Sequence, residues 1–383
     1  MADSVMQASM AGRTNAERRI RVLIVDDSGL IRRLISRVLE GDPAFEVVGT
    51  ASNGVIALEK AAQLHPDAIT LDIEMPEMDG LETLTHLQRD FPKIKVIMFS
   101  TLTERGARST IDSLLRGASD YVTKPSNTGQ FDEAESRLRT TLLPRLKSLC
   151  GASIAKPLAA EARAMAAPVV SAAPALSPMP PRMGSVASRR APHYRVVAIG
   201  LSTGGPAALS EVLAQMPGDF PLPILVTQHM PPLFTQFLAD RLNARSALNV
   251  MEAREGQEVE PGKVYIAPGD YHMRVVVRDN KTLIALDQGP PENSCRPAVD
   301  VMMRSVSDVF GADVVAAILT GMGHDGRRGV EQVRRQGGYV IAQDNATSVV
   351  WGMPGAVVEA GLAHQVVGLH SIADALLAKV RAA

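Results

Sequence analysis

The sequence predicts an α/β protein: two doubly wound parallel-sheet domains flanking a linker, with a small antiparallel hairpin in the second domain. Three observations predict it. Short apolar runs alternate with amphipathic stretches in both halves, the pattern of buried parallel strands covered by helices on both faces. The chain has 383 residues, enough for two or three domains at roughly 150 each. Its composition breaks once, between Gly151 and Pro192.

From residue 20 to 150 the strand candidates are Arg21–Val25, Val47–Ala51, Ala68–Leu71, Lys95–Phe99 and Asp120–Val122. The helix candidates between and after them are Leu30–Leu39, Val55–Leu64, Gly80–Arg89, Arg105–Leu115 and Phe131–Leu149. Residues 151–192 hold thirteen Ala, seven Pro and a single acidic residue, Glu161. Proline removes backbone donors and biases its predecessor away from helix, so this stretch reads as a flexible linker. Residues 193–383 repeat the alternation. Strands are expected at Val196–Gly200, Ile224–Gln228, Val264–Ala267, Val314–Leu319 and Tyr339–Ala342. Helices are expected at Pro206–Ala214, Leu233–Leu242, Pro297–Val309, Gly326–Gln336 and Ile372–Val380. Two alternating runs within Met273–Leu286 flank Asp279-Asn280 and read as a hairpin.

Composition narrows the function classes. Forty basic and 41 acidic residues give a net charge of −1, without the basic surplus usual in a nucleic-acid-coating domain. Two cysteines far apart, Cys150 and Cys295, support neither a disulfide framework nor a cysteine-based zinc site. No apolar run approaches the roughly 18 residues of a membrane span, and the polar start of the chain is unlike a secretory signal. A cytoplasmic protein without membrane insertion is expected.

In parallel α/β sheets ligands sit beyond the carboxyl ends of the strands. In the first domain those ends carry Asp26, Asp27, Asp72, Ser100 and Lys124. Three converging carboxylates repel one another unless a cation joins them, and Mg²⁺ is satisfied by two or three carboxylates plus waters. A carboxylate can also act as a nucleophile toward phosphorus. In the second domain, Gly200-Leu201-Ser202-Thr203-Gly204 fits G-x-S-x-G at a strand–helix turn, although a glycine-rich turn of this kind equally suits phosphate binding. His229 follows the next strand, and Asp325 follows the strand Val314–Leu319. A serine hydroxyl needs a base, and the base needs an orienting carboxylate. His324 is the rival base, but a residue adjacent to Asp325 usually points away from its neighbour's site. The order Ser…His…Asp differs from the Ser…Asp…His order of the α/β-hydrolases.

The runs "LIVDDS", "LDIEMPEMDG", "VIMFST" and "DYVTKP" resemble the receiver domain of two-component response regulators. The resemblance implies a flavodoxin-like domain with Asp72 as phosphoacceptor. It assigns Asp26, Asp27, Asp72 and the backbone carbonyl of Glu74 to Mg²⁺, with Ser100, Lys124 and Tyr121 as switch residues. Glu74 stands where many receivers carry a small or amide residue, which leaves the phosphoryl lifetime open. The runs "AIGLSTGGP", "TQHMPP", "VYIAPGD", "RPAVDVM", "ILTGMGHDG" and "AQDNATSVVWGMPGA" resemble the catalytic domain of the chemotaxis protein-glutamate methylesterases, a Rossmann-like domain. That resemblance implies nucleophile Ser202, base His229, orienting Asp325 and oxyanion donors near Thr203 and Met322. Leu201 and His324 depart from the common pattern of Ala and Asn. The implied partners are methyl-accepting chemotaxis receptors as substrate and a chemotaxis histidine kinase as phosphodonor, with no metal needed for the esterase step. The alternative is a response regulator whose output domain binds DNA or another partner without catalysis.

Overall fold

The computed structural model describes residues 19–125, 131–151 and 193–381. The predicted linker therefore lies, but for Gly151, outside the described residues. Five strands open the fold: β1 (Ile20–Val25), β2 (Phe45–Ala51), β3 (Ala68–Asp72), β4 (Lys95–Ser100) and β5 (Asp120–Thr123). They form a wholly parallel sheet in the order β2-β1-β3-β4-β5. Helices α1 (Gly29–Glu40), α2 (Gly54–Leu64), α3 (Gly80–Asp90), α4 (Glu104–Leu115) and α5 (Phe131–Leu149) cover it. Local chemistry sets the helix starts. The Asn53 carboxamide accepts from Ile56 N at 3.0 Å and the Asp79 carboxylate from Glu82 N at 2.8 Å, so each satisfies an otherwise orphaned N–H. β1 and β3 are buried along nearly their whole length, as strands with helices on both faces must be. The strand order reverses between β1 and β3, and the crevice this opens lies beyond Asp26 and Asp72.

The second sheet has seven parallel strands: β6 (Val196–Leu201), β7 (Ile224–Gln228), β8 (Asn249–Glu252), β9 (Lys263–Ile266), β12 (Val314–Ile318), β13 (Tyr339–Gln343) and β14 (Gln365–Val367). Their order is β14-β13-β12-β6-β7-β9-β8. Its helices are α6 (Gly205–Ala214), α7 (Phe234–Asn243), α8 (Val299–Phe310), α9 (Arg327–Arg335), α10 (Met353–Glu359) and α11 (Ile372–Arg381). The hairpin pairs β10 (His272–Arg278) with β11 (Lys281–Asp287), turning at Asp279 and Asn280, whose φ values are 50° and 59°. β8, β14 and α10 were not predicted. β8 and β14 are short, partly exposed edge strands, so neither carries the continuous apolar run that betrays a central strand.

The two domains meet along α4, β5 and α5 on one side and α6 and α7 on the other. The Tyr121 ring stacks on Phe234, with centroids 5.1 Å apart. The Arg108 guanidinium lies 4.3 Å over the Phe237 ring, and Arg241 pairs with Asp112 at 2.8 Å. All three rings belong to an apolar cluster that runs through both domains.

Candidate active site

In the first domain the strand ends bring the predicted acidic residues together. Ligand oxygens of Asp26, Asp27 and Asp72 all lie within 4.8 Å of one another. Lys124 Nζ reaches Asp72 at 2.7 Å and Asp26 at 2.9 Å. Burial, joined by the charge of Asp26 and only partly countered by Lys124, pushes the Asp72 carboxyl up to about 6. One ammonium does not neutralise three carboxylates, and a site of hard oxygens with surplus negative charge fits Mg²⁺. The Glu74 side chain turns outward and pairs with Arg105 at 3.2 Å. The Ser100 hydroxyl donates toward the carbonyls of Thr101 and Gly106, both at 3.1 Å. Tyr121 is buried in the domain interface.

In the second domain the strand order reverses between β12 and β6, and the turn carrying Ser202 follows β6 at that point. Three ties hold the turn. Ser202 N donates to Thr320 O at 3.0 Å, Thr320 Oγ1 to Thr203 O at 2.9 Å, and Gln228 Nε2 to Ser202 O at 3.0 Å. Gln228 Nε2 also lies 3.3 Å from His229 O, so one amide ties the backbones of Ser202 and His229. Gly205 makes room for this amide, because a Cβ there would lie 2.0 Å from Gln228 Oε1. Gln228 was not predicted for this site, because a strand-end amide carries no sequence mark of the groups it ties.

His229 Nε2 meets Asp325 Oδ2 at 2.8 Å. An ionised carboxylate only accepts, so Nε2 keeps a proton toward Asp325, and Nδ1 is the nitrogen that gains or loses the titrating proton. Nδ1 faces Cys295 Sγ at 3.5 Å. Burial opposes the imidazolium, but the hydrogen bonds to Asp325 and Cys295 outweigh it and push His229 up to about 10. Burial also opposes the Asp325 anion, yet His229 and the main-chain donors of Val299 and Asp300 hold it down at about 2. Asp325 does not cap its own helix. Its oxygens accept from Val299 N at 2.7 Å and Asp300 N at 3.0 Å, at the start of α8, where the N-cap residue Ala298 has no side-chain acceptor. The positive end of α8 thereby stabilises the carboxylate. The neighbouring His324 is exposed, so the rival base faces solvent.

Ser202, Thr203, His229, Cys295 and Met322 line one cavity of about 410 Å³. Part of its wall comes from the first domain, through Asp120, Tyr121, Thr140, Thr141 and Arg145. Asp120 Oδ2 accepts from the Thr203 hydroxyl at 2.7 Å, one residue from the serine, and pairs with Arg145 at 3.2 Å. Asp120, Asn293 and Cys295 were not predicted as members of this site, because each reaches it from a loop or from the other domain.

Comparison with known proteins gives a consistent result. Residues 197–376 match the family model described as CheB methylesterase, and residues 22–134 match the response regulator receiver domain. A protein-glutamate methylesterase/protein-glutamine glutaminase of a Nocardioides species is 49% identical over 94% of this chain and 95% of its own. The corresponding protein of Trichodesmium erythraeum is 42% identical over 94% of this chain and 99% of its own. Among solved structures, the catalytic domain of the Thermotoga maritima CheB methylesterase is 45% identical, covering 48% of this chain and 98% of its own, with a TM-score of 0.48.

Proposed function

The chain belongs to the CheB-type protein-glutamate methylesterase/protein-glutamine glutaminase family, with a receiver domain ahead of the methylesterase domain, and from that premise we propose how its residues divide the work. Residues 20–150 are the receiver, 151–192 the linker and 193–383 the catalytic domain. The substrate is a glutamate γ-methyl ester on a chemoreceptor. Ser202 Oγ attacks the ester carbonyl and passes its proton to His229 Nδ1, while Asp325 holds the ring by Nε2. The N–H groups of Thr203 and Met322, on the cavity wall, receive the oxyanion. Collapse of the intermediate breaks the C–O bond, and the departing methoxide takes the proton from Nδ1 as methanol. Water, deprotonated by the same nitrogen, then attacks the acyl-serine and releases glutamate and Ser202. With a glutamine substrate the leaving group is ammonia. The carrying observation is the His229–Asp325 pair at 2.8 Å in a cavity shared with Ser202.

The receiver regulates this site. Asp72 takes the phosphoryl group from the chemotaxis histidine kinase in the cytoplasm. Bound Mg²⁺, held by Asp26, Asp27, Asp72 and the Glu74 carbonyl, would offset charge on the transferring oxygens. Ser100 and Tyr121 relay the change from the pocket toward the interface, where Tyr121 already stacks on Phe234. In the state described here the receiver walls the cavity, and phosphorylation frees it. Methanol release from methylated receptor, with and without a small phosphodonor, tests both parts. Ser202→Ala is expected to abolish release, by roughly 10³-fold or more. Asp72→Asn is expected to keep the basal rate and lose the stimulation. Stimulation surviving in Asp72→Asn overturns the regulatory part; release surviving in Ser202→Ala, with no serine labelling by a fluorophosphonate, overturns the catalytic part in favour of a binding domain.

A further inference from the structure

Between β11 and α8 the chain makes a two-residue reverse turn. Glu292 and Cys295 exchange both backbone hydrogen bonds, at 3.1 and 2.9 Å. The residues between them, Asn293 and Ser294, have φ values of 51° and 62°, a pairing in which asparagine is favoured among residues that bear a side chain. Arg304 of α8 grips Glu292 through both carboxylate oxygens, at 2.8 and 2.5 Å. The turn delivers the Asn293 amide to two buried carboxylates. Its Nδ2 donates to Asp325 Oδ1 at 2.8 Å and to Asp300 Oδ2 at 2.9 Å.

Asp300 is fully buried, and Asp325 is 2% exposed. The other oxygen of Asp300 accepts from Gly329 N at 2.7 Å. The charged groups facing the pair are His229, Glu292 and Arg304, and Arg304 is already matched by Glu292. Among the described residues, only His229 offers Asp325 a countercharge through direct contact. Without a bridging donor, the two carboxylates would confront each other, and a proton shared between them would weaken Asp325 as the acceptor for His229. A primary amide supplies two N–H donors in one plane and adds no charge.

We infer that Asn293 is a positioning residue of the esterase: its amide bridges Asp325 and Asp300, keeping the carboxylate that orients His229 ionised and fixed. This rests on the catalytic reading of Ser202, His229 and Asp325 given above. Asn293→Gly keeps the turn, because glycine adopts positive φ freely, and removes the amide. Asn293→Asp keeps the side-chain size and the tolerance of the turn, and replaces the donor by an acceptor.

The test is the pH dependence of Ser202 labelling by a fluorophosphonate in the full chain without phosphodonor, each variant beside wild type. Losing a hydrogen bond to a charged group is expected to slow labelling about tenfold at neutral pH and to move its acid limb up by about one pH unit. Both members of the pair shift the limb the same way. Asp325 loses a donor to its ionised form, and its less satisfied charge holds the proton on His229 more tightly. Asn293→Asp is expected to move the limb in the same direction. A wild-type rate and limb in both variants overturns the inference, and so does slower labelling with an unmoved limb, which a purely structural role would give. Labelling that persists in Ser202→Ala would overturn the catalytic reading instead, so the two failures are distinct.

Discussion

Asp72 shows how a single side chain carries the tension of its site. The folded chain holds its proton up to about pH 6, above the ordinary aspartate value of about 3.9 in an unfolded chain. Between those values the folded state binds more protons than the unfolded one, so this group's contribution to stability falls as pH rises through the window. A divalent cation offsets the charge that then appears and binds only the folded chain. Mg²⁺ is therefore expected to raise the melting temperature above neutrality, with an effect that fades as pH drops through about 6. Thermal melts over that range check this, and an Mg²⁺ effect independent of pH would contradict it. The acidic cluster was legible because each member ends an apolar strand. Gln228 and Asn293 were not, because an amide in a loop or at a strand end looks the same whether it ties other segments or faces water.

At the scale of elements, the end of one strand touches the other domain's chemistry. β5 begins with Asp120, whose carboxylate accepts from the hydroxyl of Thr203 beside Ser202. Asp120→Ala removes that tie while leaving Ser202, His229 and Asp325 in place. The basal rate of serine labelling is expected to rise about three- to tenfold, the scale of one charge-assisted hydrogen bond. An unchanged basal rate would show that the contact does not restrain the site. The central elements were predicted to within a few residues, since β1, β3, β6, β7 and β12 are buried nearly throughout. The His229 strand, β7, even matches residue for residue. The misses, β8, β14 and α10, are short, and the two strands lie at sheet edges where burial is partial.

For the whole molecule, the consequence is that the cavity has walls from two domains. Residues 193–383 alone lack the receiver's wall, so that segment is expected to label at Ser202 faster than the full chain and to ignore a phosphodonor. Equal labelling rates for the segment and the full chain would refute the idea that the receiver restricts access. By itself the sequence determined the central strands of both sheets, the acidic cluster, and the placement of Ser202, His229 and Asp325 at strand ends, because strand periodicity and short motifs are local. Tertiary structure alone decided the partners of those side chains: Asp325 capping α8, His229 using Nε2 for Asp325, Asn293 bridging two carboxylates and Asp120 reaching Thr203. Such contacts join residues from 7 to 96 positions apart along the chain. They exist only once strand order and loop geometry bring those segments within hydrogen-bonding range, and no local pattern encodes that distance.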